Sequence, residues 1–130
     1  MAKEFYNPPD VFSPVAIYSH GVRCGRTVTL AGQAPLNDDG TVFGPGDPDA
    51  QCRRVFADLK KTLDFAGTTF EDVVYVRAYV TDKAVLPVLR RVAAEIFDGN
   101  RPAFTPVIVP SVRAAGALVE IELVVELDAQ

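Results

Sequence analysis

The stretch Val73-Val74-Tyr75-Val76-Arg77-Ala78-Tyr79-Val80 decides the fold, because helical patterns flank it on both sides and it breaks them. β-Branched and aromatic residues dominate it, so it reads as a strand. Alternation puts Val74, Val76, Ala78 and Val80 on one face and Val73, Tyr75, Arg77 and Tyr79 on the other. The first face suits a core covered by helices. The second is too apolar for a plain wet face and predicts a cover, such as another subunit.

Upstream lies an amphipathic helix. Apolar residues recur at Cys52, Val55, Phe56, Leu59, Leu63 and Ala66, the stripe of one helix face. Asp47 is placed to cap its start, with Pro48 in the first turn and Gly67 where a left-handed residue ends a helix. Downstream, Val85, Leu89, Val92, Ala93 and Ile96 predict a second helix from about Val85 to Phe97, ended by Asp98-Gly99-Asn100 and Pro102. Thr105 to Val109 reads as a strand. Ala117 to Leu127 is the longest alternation in the chain, with Ala117, Val119, Ile121, Leu123, Val125 and Leu127 on one face. Leu118, Glu120, Glu122, Val124 and Glu126 share the other.

The first third is also β-prone. Ala16-Ile17-Tyr18 and Thr27-Val28-Thr29-Leu30, separated by Gly21 and Gly25, predict a hairpin, and Asp39-Gly40 offers a second tight turn. The Pro- and Gly-rich stretch from Pro35 to Pro48 reads as turns, because each half is too small to stand alone. A single α+β domain over residues 1–130 follows: a mixed sheet with two helices on one face. With no third helix for the other face, oligomerisation is the economical cover.

Composition narrows the function. The chain has 130 residues, 13 Lys and Arg against 17 Asp and Glu, one His, two Cys, no Trp, and 48% hydrophobic residues. A net charge of −4 without a basic run argues against nucleic-acid binding, which needs clustered cations. One His and two Cys are too few for a His₂ or Cys₄ metal site within the chain. The N-terminal ten residues have no apolar signal core, and no run reaches the ~20 residues of a membrane helix, so a cytoplasmic location is expected. Cys24 and Cys52 are then expected to be free, buried small hydrophobes. Any catalysis must need little side-chain chemistry.

Several motifs in order resemble the Rid family, also called the YjgF family. Tyr18-Ser19-His20-Gly21-Val22 and Ala31-Gly32-Gln33-Ala34-Pro35 are similar to its Tyr…Gly-Val and Gly-Gln-x-Pro motifs. Ala50-Gln51 resembles its helix start, and Leu63-Asp64-Phe65-Ala66-Gly67 with Asp72-Val73-Val74 its Leu-x-x-Ala-Gly…Asp-Val-Val stretch. Arg101-Pro102-Ala103 and Val119-Glu120-Ile121-Glu122 resemble its Pro-Ala-Arg segment and final strand. The likeness spans roughly residues 14–127. It implies a chorismate-mutase-like fold, a homotrimer with clefts between subunits, and hydrolysis of reactive enamines or imines such as 2-aminoacrylate without metal or organic cofactor. It also implies a RidA-like small-molecule ligand, while the charge and the lack of a long apolar run argue against nucleic acid or membrane as partner.

One departure matters. Where the family carries the arginine that grips the substrate carboxylate, this chain has Phe104, so the resemblance is to a divergent branch. A phenyl ring cannot replace a bidentate guanidinium, which argues against ordinary 2-aminoacrylate deamination and for a less polar substrate. Pro106 stands where the family often has Cys, and Arg90 where it often has Asn. The resemblance leaves Tyr18, Gly32, Thr105 and Glu120 in the cleft, with Gly32, Phe104, Thr105 and Pro106 as substrate-binding positions. Glu120, assisted by Tyr18, is the candidate acid or base, its pKa raised beside apolar Phe104. His20 shares a face with Tyr18 if the strand alternates, and Phe104 with Ile108 suggests an apolar floor. Arg77, Arg90 and Arg113 are candidate replacements for the clamp. Two functions fit: an imine or enamine hydrolase, and a non-catalytic trimer that binds or senses a small molecule. Endoribonuclease action, an older reading of the family, is disfavoured by the charge and the lone His.

Overall fold

A computed structural model describes residues 2–12 and 17–128. Three strands come first: β1 (Lys3–Tyr6), β2 (Gly21–Cys24) and β3 (Thr27–Gln33). Helix α1 (Pro48–Ala66), strand β4 (Val73–Val80), helix α2 (Val85–Phe97), and strands β5 (Ala103–Ile108) and β6 (Val119–Glu126) follow. They build one six-stranded sheet in the order β1-β2-β3-β6-β4-β5. β4 and β5 are parallel, joined by α2 as a crossover, and the other neighbours are antiparallel.

Both helices pack on one face. Cys52, Val55, Phe56, Leu59 and Leu63 from α1 and Val85, Leu89, Val92 and Phe97 from α2 share a core with Val28, Leu30, Val76, Ala78, Val80, Ile121 and Leu123. Asp47 caps α1, its carboxylate accepting from Ala50 N–H at 3.0 Å. Gly67 ends it at φ 77°, where its N–H donates to the Asp64 carbonyl. Asp98, at φ 43°, takes the left-handed position that closes α2.

Four expectations change. The hairpin pairs β2 with β3 through Gly25 and Arg26, so its first strand is Gly21–Cys24. Ile17 and Tyr18 lie in a turn ahead of it, and Ala16 falls outside the described residues. Gly21 sits in the strand because a side chain there would press on Thr62, its Cβ 3.1 Å from Cγ2. The unforeseen β1 then pairs with β2. In β4, a register shift between Val73 and Tyr75 turns Val73 into the core and leaves Val74 exposed, reversing their assigned faces. β5 starts at Ala103 and tolerates Pro106 because it is an edge strand. Finally, both cysteines are free, but only Cys52 is buried, which pushes its thiol up to about 11. Cys24 is exposed beside the hairpin turn.

The face away from the helices is covered by none of the described elements. It carries Thr29, Val124, Glu122, Tyr75, Arg77 and Tyr79. Tyr79 donates its hydroxyl to Glu122 at 2.6 Å, and Arg77 donates to the Tyr75 oxygen. No described helix is long and apolar enough to cross a membrane.

Candidate functional site

The antiparallel pairing of β3 and β6 slips between Leu30 and Gln33. At that irregularity Gly32 lies under the carboxylate of Glu120. A Cβ on Gly32 would sit 2.5 Å from Glu120 Oε2 and 3.1 Å from its Cδ, so a side chain there would push the carboxylate out of this position. The two residues line a cavity of about 460 Å³ that also includes Tyr18, His20, Ala31 and Arg113. Half-buried Glu120 has its pKa raised above the ordinary 4.5, first by burial and then by Glu122, with Arg113 pulling the other way. A carboxyl group held this way donates or accepts a proton closer to neutral pH than an exposed one.

β6 reaches this position through Gln51. Its buried side-chain amide donates to the carbonyls of Gly44 and Gly116 and accepts from Leu118 N–H at 2.7 Å. One side chain from the first turns of α1 thus ties down the loop that delivers Glu120. This is a physical reason for a glutamine in the Ala50-Gln51 helix start.

His20 is buried, with 2% of its surface exposed. Its Nδ1 lies 2.7 Å from Gln33 Nε2, and its ring meets Tyr18 edge-on at 6.1 Å between centroids. With the Gln33 amide donating to Nδ1, the neutral ring carries its proton on Nε2. That atom has no hydrogen-bond partner among the described residues. Burial lowers the His20 pKa below 6.5, opposed in part by the Val11 carbonyl and the Asp58 carboxylate. The backbone is held too: His20 N–H donates to Asn7 Oδ1 and Ala31 N–H to the His20 carbonyl. Tyr18 and His20 therefore share the cavity although neither belongs to a strand.

The remaining candidates lie elsewhere in the chain. β4 separates β5 from β6, which places β5 about 10 Å from the Glu120 strand at the usual strand spacing. Phe104 pairs with Val76 and packs toward the helices, where it and Pro106 line a second groove of about 470 Å³ against α2. Thr105 points to the opposite face, where its hydroxyl, and then Arg77, hold the Tyr75 phenol below its ordinary pKa. Phe104 is thus not beside Glu120 within one chain, and the raised pKa of Glu120 comes from its own burial and Glu122. Ile108 is 53% exposed and forms no floor with Phe104.

The three candidate cations also separate. Arg77 serves Tyr75 on the open face, Arg90 lines the Phe104 groove, and Arg113 lines the Glu120 cavity. Sequence reading placed His20 with Tyr18 but had no signal for the Gln33 contact or the cover from Asn7 and Val11. Among the described residues, no three His, Cys, Asp or Glu side chains gather as a metal site.

A sequence model of the endoribonuclease L-PSP family matches residues 9–127, nearly the whole chain. The chain belongs to this family. Solved structures agree. A YjgF-family protein from Mycobacterium tuberculosis is 32% identical, with a TM-score of 0.82 over 97% of this chain and 100% of its own. A Rid-family protein of unknown function from Yersinia pestis is 28% identical, with a TM-score of 0.90 over 97% of this chain and 100% of its own. RidA from the Antarctic bacterium Psychrobacter is 27% identical, with a TM-score of 0.87 over 95% and 99%. The L-PSP family chain therefore shares the single mixed sheet and paired helices of the Rid and YjgF proteins.

Proposed function

We propose that this L-PSP/Rid family chain hydrolyses a small imine or enamine, less polar than 2-aminoacrylate, in a cleft between subunits of a homotrimer. The observation that carries this reading is Glu120 seated over Gly32 with its pKa raised, in a cavity that also holds Tyr18. Imine hydrolysis needs a proton on the nitrogen and a positioned water, which one carboxyl group can supply in turn. Protonated Glu120 donates to the imine nitrogen. The carboxylate then takes a proton from the water that attacks the carbon, and ammonia leaves as the carbinolamine collapses to the carbonyl product. Tyr18 and the Gly32 backbone orient the substrate. Arg113, beside the same acid, offers charge to an anionic group.

The subunit-interface cleft is supported by the division of the candidate residues. Tyr18, Gly32 and Glu120 line one cavity; Phe104 and Pro106 line another groove of the same chain, and Thr105 stands apart from both. A neighbouring copy that sets its β5 edge against the Glu120 cavity brings them together. The uncovered sheet face, with exposed Val74, and exposed Ile108 on edge strand β5 give such a neighbour apolar surface.

The test is release of ammonia, with capture of residual imine by semicarbazide, on purified protein. 2-Iminopropionate and 2-imino-3-phenylpropionate are generated in place from alanine and phenylalanine by an amino-acid oxidase. Acceleration of either that is lost in Glu120→Gln supports the reading. Turnover that survives Glu120→Gln removes Glu120 from the chemistry, and no acceleration of any imine favours a binding or sensing role.

A further inference from the structure

We propose that the groove between α2 and β5 binds the apolar body of an organic anion, with Arg90 and Arg101 holding its carboxylate. The groove measures about 470 Å³, within the range of small-molecule sites. Phe104, Leu86, Leu89, Ala93 and Phe97 make most of its wall apolar. The Phe104 ring packs on the core from one side and borders the groove on the other, so it offers a ligand a fixed aromatic surface.

Charge selects the occupant. Arg90 and Arg101 both line this groove, and neither forms an ion pair among the described residues. The contrast with the next residue is direct: Arg91 donates to Asp49 at 2.7 Å, and on α1 Arg53, Arg54, Lys60 and Lys61 all have acidic partners. Asn100, also at the groove, already donates its amide to the carbonyls of Phe70 and Val73, so the guanidinium groups are the free donors. In a chain of net charge −4, two unpaired arginines beside an apolar groove are complementary to one ligand class: a carboxylate on an aromatic or branched hydrocarbon body.

This names the substrate class of the proposed cleft and rests on that reading for turnover, though not for binding. A neighbouring Glu120 would then meet the imine carbon of an aromatic or branched 2-imino acid whose side chain lies on Phe104. The loss of an arginine at position 104 is offset by cations on α2 and on the loop before β5.

Calorimetric titration with phenylacetate, acetate and benzyl alcohol, with amide NMR shifts to locate each, tests it. Phenylacetate is expected to bind at least about tenfold more tightly than either fragment, with shifts at Phe104 and Arg90. Arg90→Gln and Arg101→Gln are each expected to weaken phenylacetate about tenfold and to leave benzyl alcohol unchanged. Equal binding of the three probes, indifference to both arginines, or shifts confined to the Glu120 cavity overturns the proposal. Both arginines are exposed, so the variants should fold, and unchanged melting temperatures check this. Phenylacetate binding as expected, without turnover of 2-imino-3-phenylpropionate, upholds the groove and sinks the hydrolase reading. Turnover of small and aromatic imines at equal rates, without phenylacetate binding, does the reverse.

Discussion

The Glu120 cavity and the Phe104 groove are nearly equal in volume, about 460 and 470 Å³, and differ in almost everything else. The first is a break in strand pairing where a carboxyl group rests on a glycine. The second is the ordinary seam between a crossover helix and an edge strand, lined with hydrocarbon and flanked by two arginines without an ion pair among the described residues. A proton-transfer group needs a tight backbone and partial burial to shift its pKa. Recognition of an apolar body needs only surface and shape. Under the proposed reading, chemistry and recognition sit at different sheet positions, and each can be altered separately.

The largest break in that comparison comes from Glu120→Gln. Turnover should fall about 100-fold, the lower range for loss of a general acid or base, while phenylacetate affinity stays within a factor of about two. In the unaltered protein, turnover that depends on the protonated acid should fall as pH rises through the raised Glu120 pKa. The same shift fixes a stability sign. The folded pKa lies above the unfolded one, so ionising Glu120 at higher pH weakens the fold. Glu120→Gln should therefore melt no lower than the parent at pH 7. A clear loss of stability would contradict the burial argument.

Gln51→Ala tests how the first region is held. It removes three hydrogen bonds and leaves Leu118 N–H without its acceptor. Chemical denaturation should show a loss of about 2–3 kcal/mol, with turnover affected more than groove binding. Equal damage to both would mean the two regions are not separable. Phe104→Ala acts on the other side. Phe104 is only half-buried, so its loss should cost about 1–2 kcal/mol, below the range for a fully buried ring. Phenylacetate binding should weaken, as calorimetric titration would show.

Most of the fold was legible because local chemistry and packing agreed. The caps at Asp47 and Gly67, the stripe of α1, and the alternation of β6 each repeat one message at two levels. β1 was not legible: in Lys3-Glu4-Phe5-Tyr6 only Tyr6 is buried, so this edge strand shows no pattern. The reversal of Val73 and Val74 came from a slip in pairing with β6, which no strand reveals alone. For the site, residue types were readable and their grouping was not. Strand order sets the distance between Glu120 and Phe104, and β4 comes between them only in space. The burial of His20 likewise depends on an N-terminal segment folded back from Asn7 and Val11.

The smallest expected effect is a pH slope at His20. Its folded pKa lies below the ordinary 6.5, so the unfolded chain binds the extra proton first as the medium is acidified. Stability from this residue is complete above that value and is lost as pH falls toward the folded pKa. His20→Gln should flatten the dependence of melting temperature on pH below 6.5. An unchanged slope would mean that the imidazole is not held neutral.

The central claim is that one working site joins the Glu120 cavity of one subunit to the Phe104 groove of its neighbour, and subunit mixing tests it most directly. Glu120→Gln and Phe104→Glu chains are refolded separately and together in equal amounts, and turnover of 2-imino-3-phenylpropionate is measured. Each variant alone should be inactive. In mixed trimers about one cleft in four combines an intact Glu120 with a neighbour's intact Phe104, so about a quarter of parental activity should return. No recovery, in mixtures shown by mass to contain both chains in one assembly, would contradict the account.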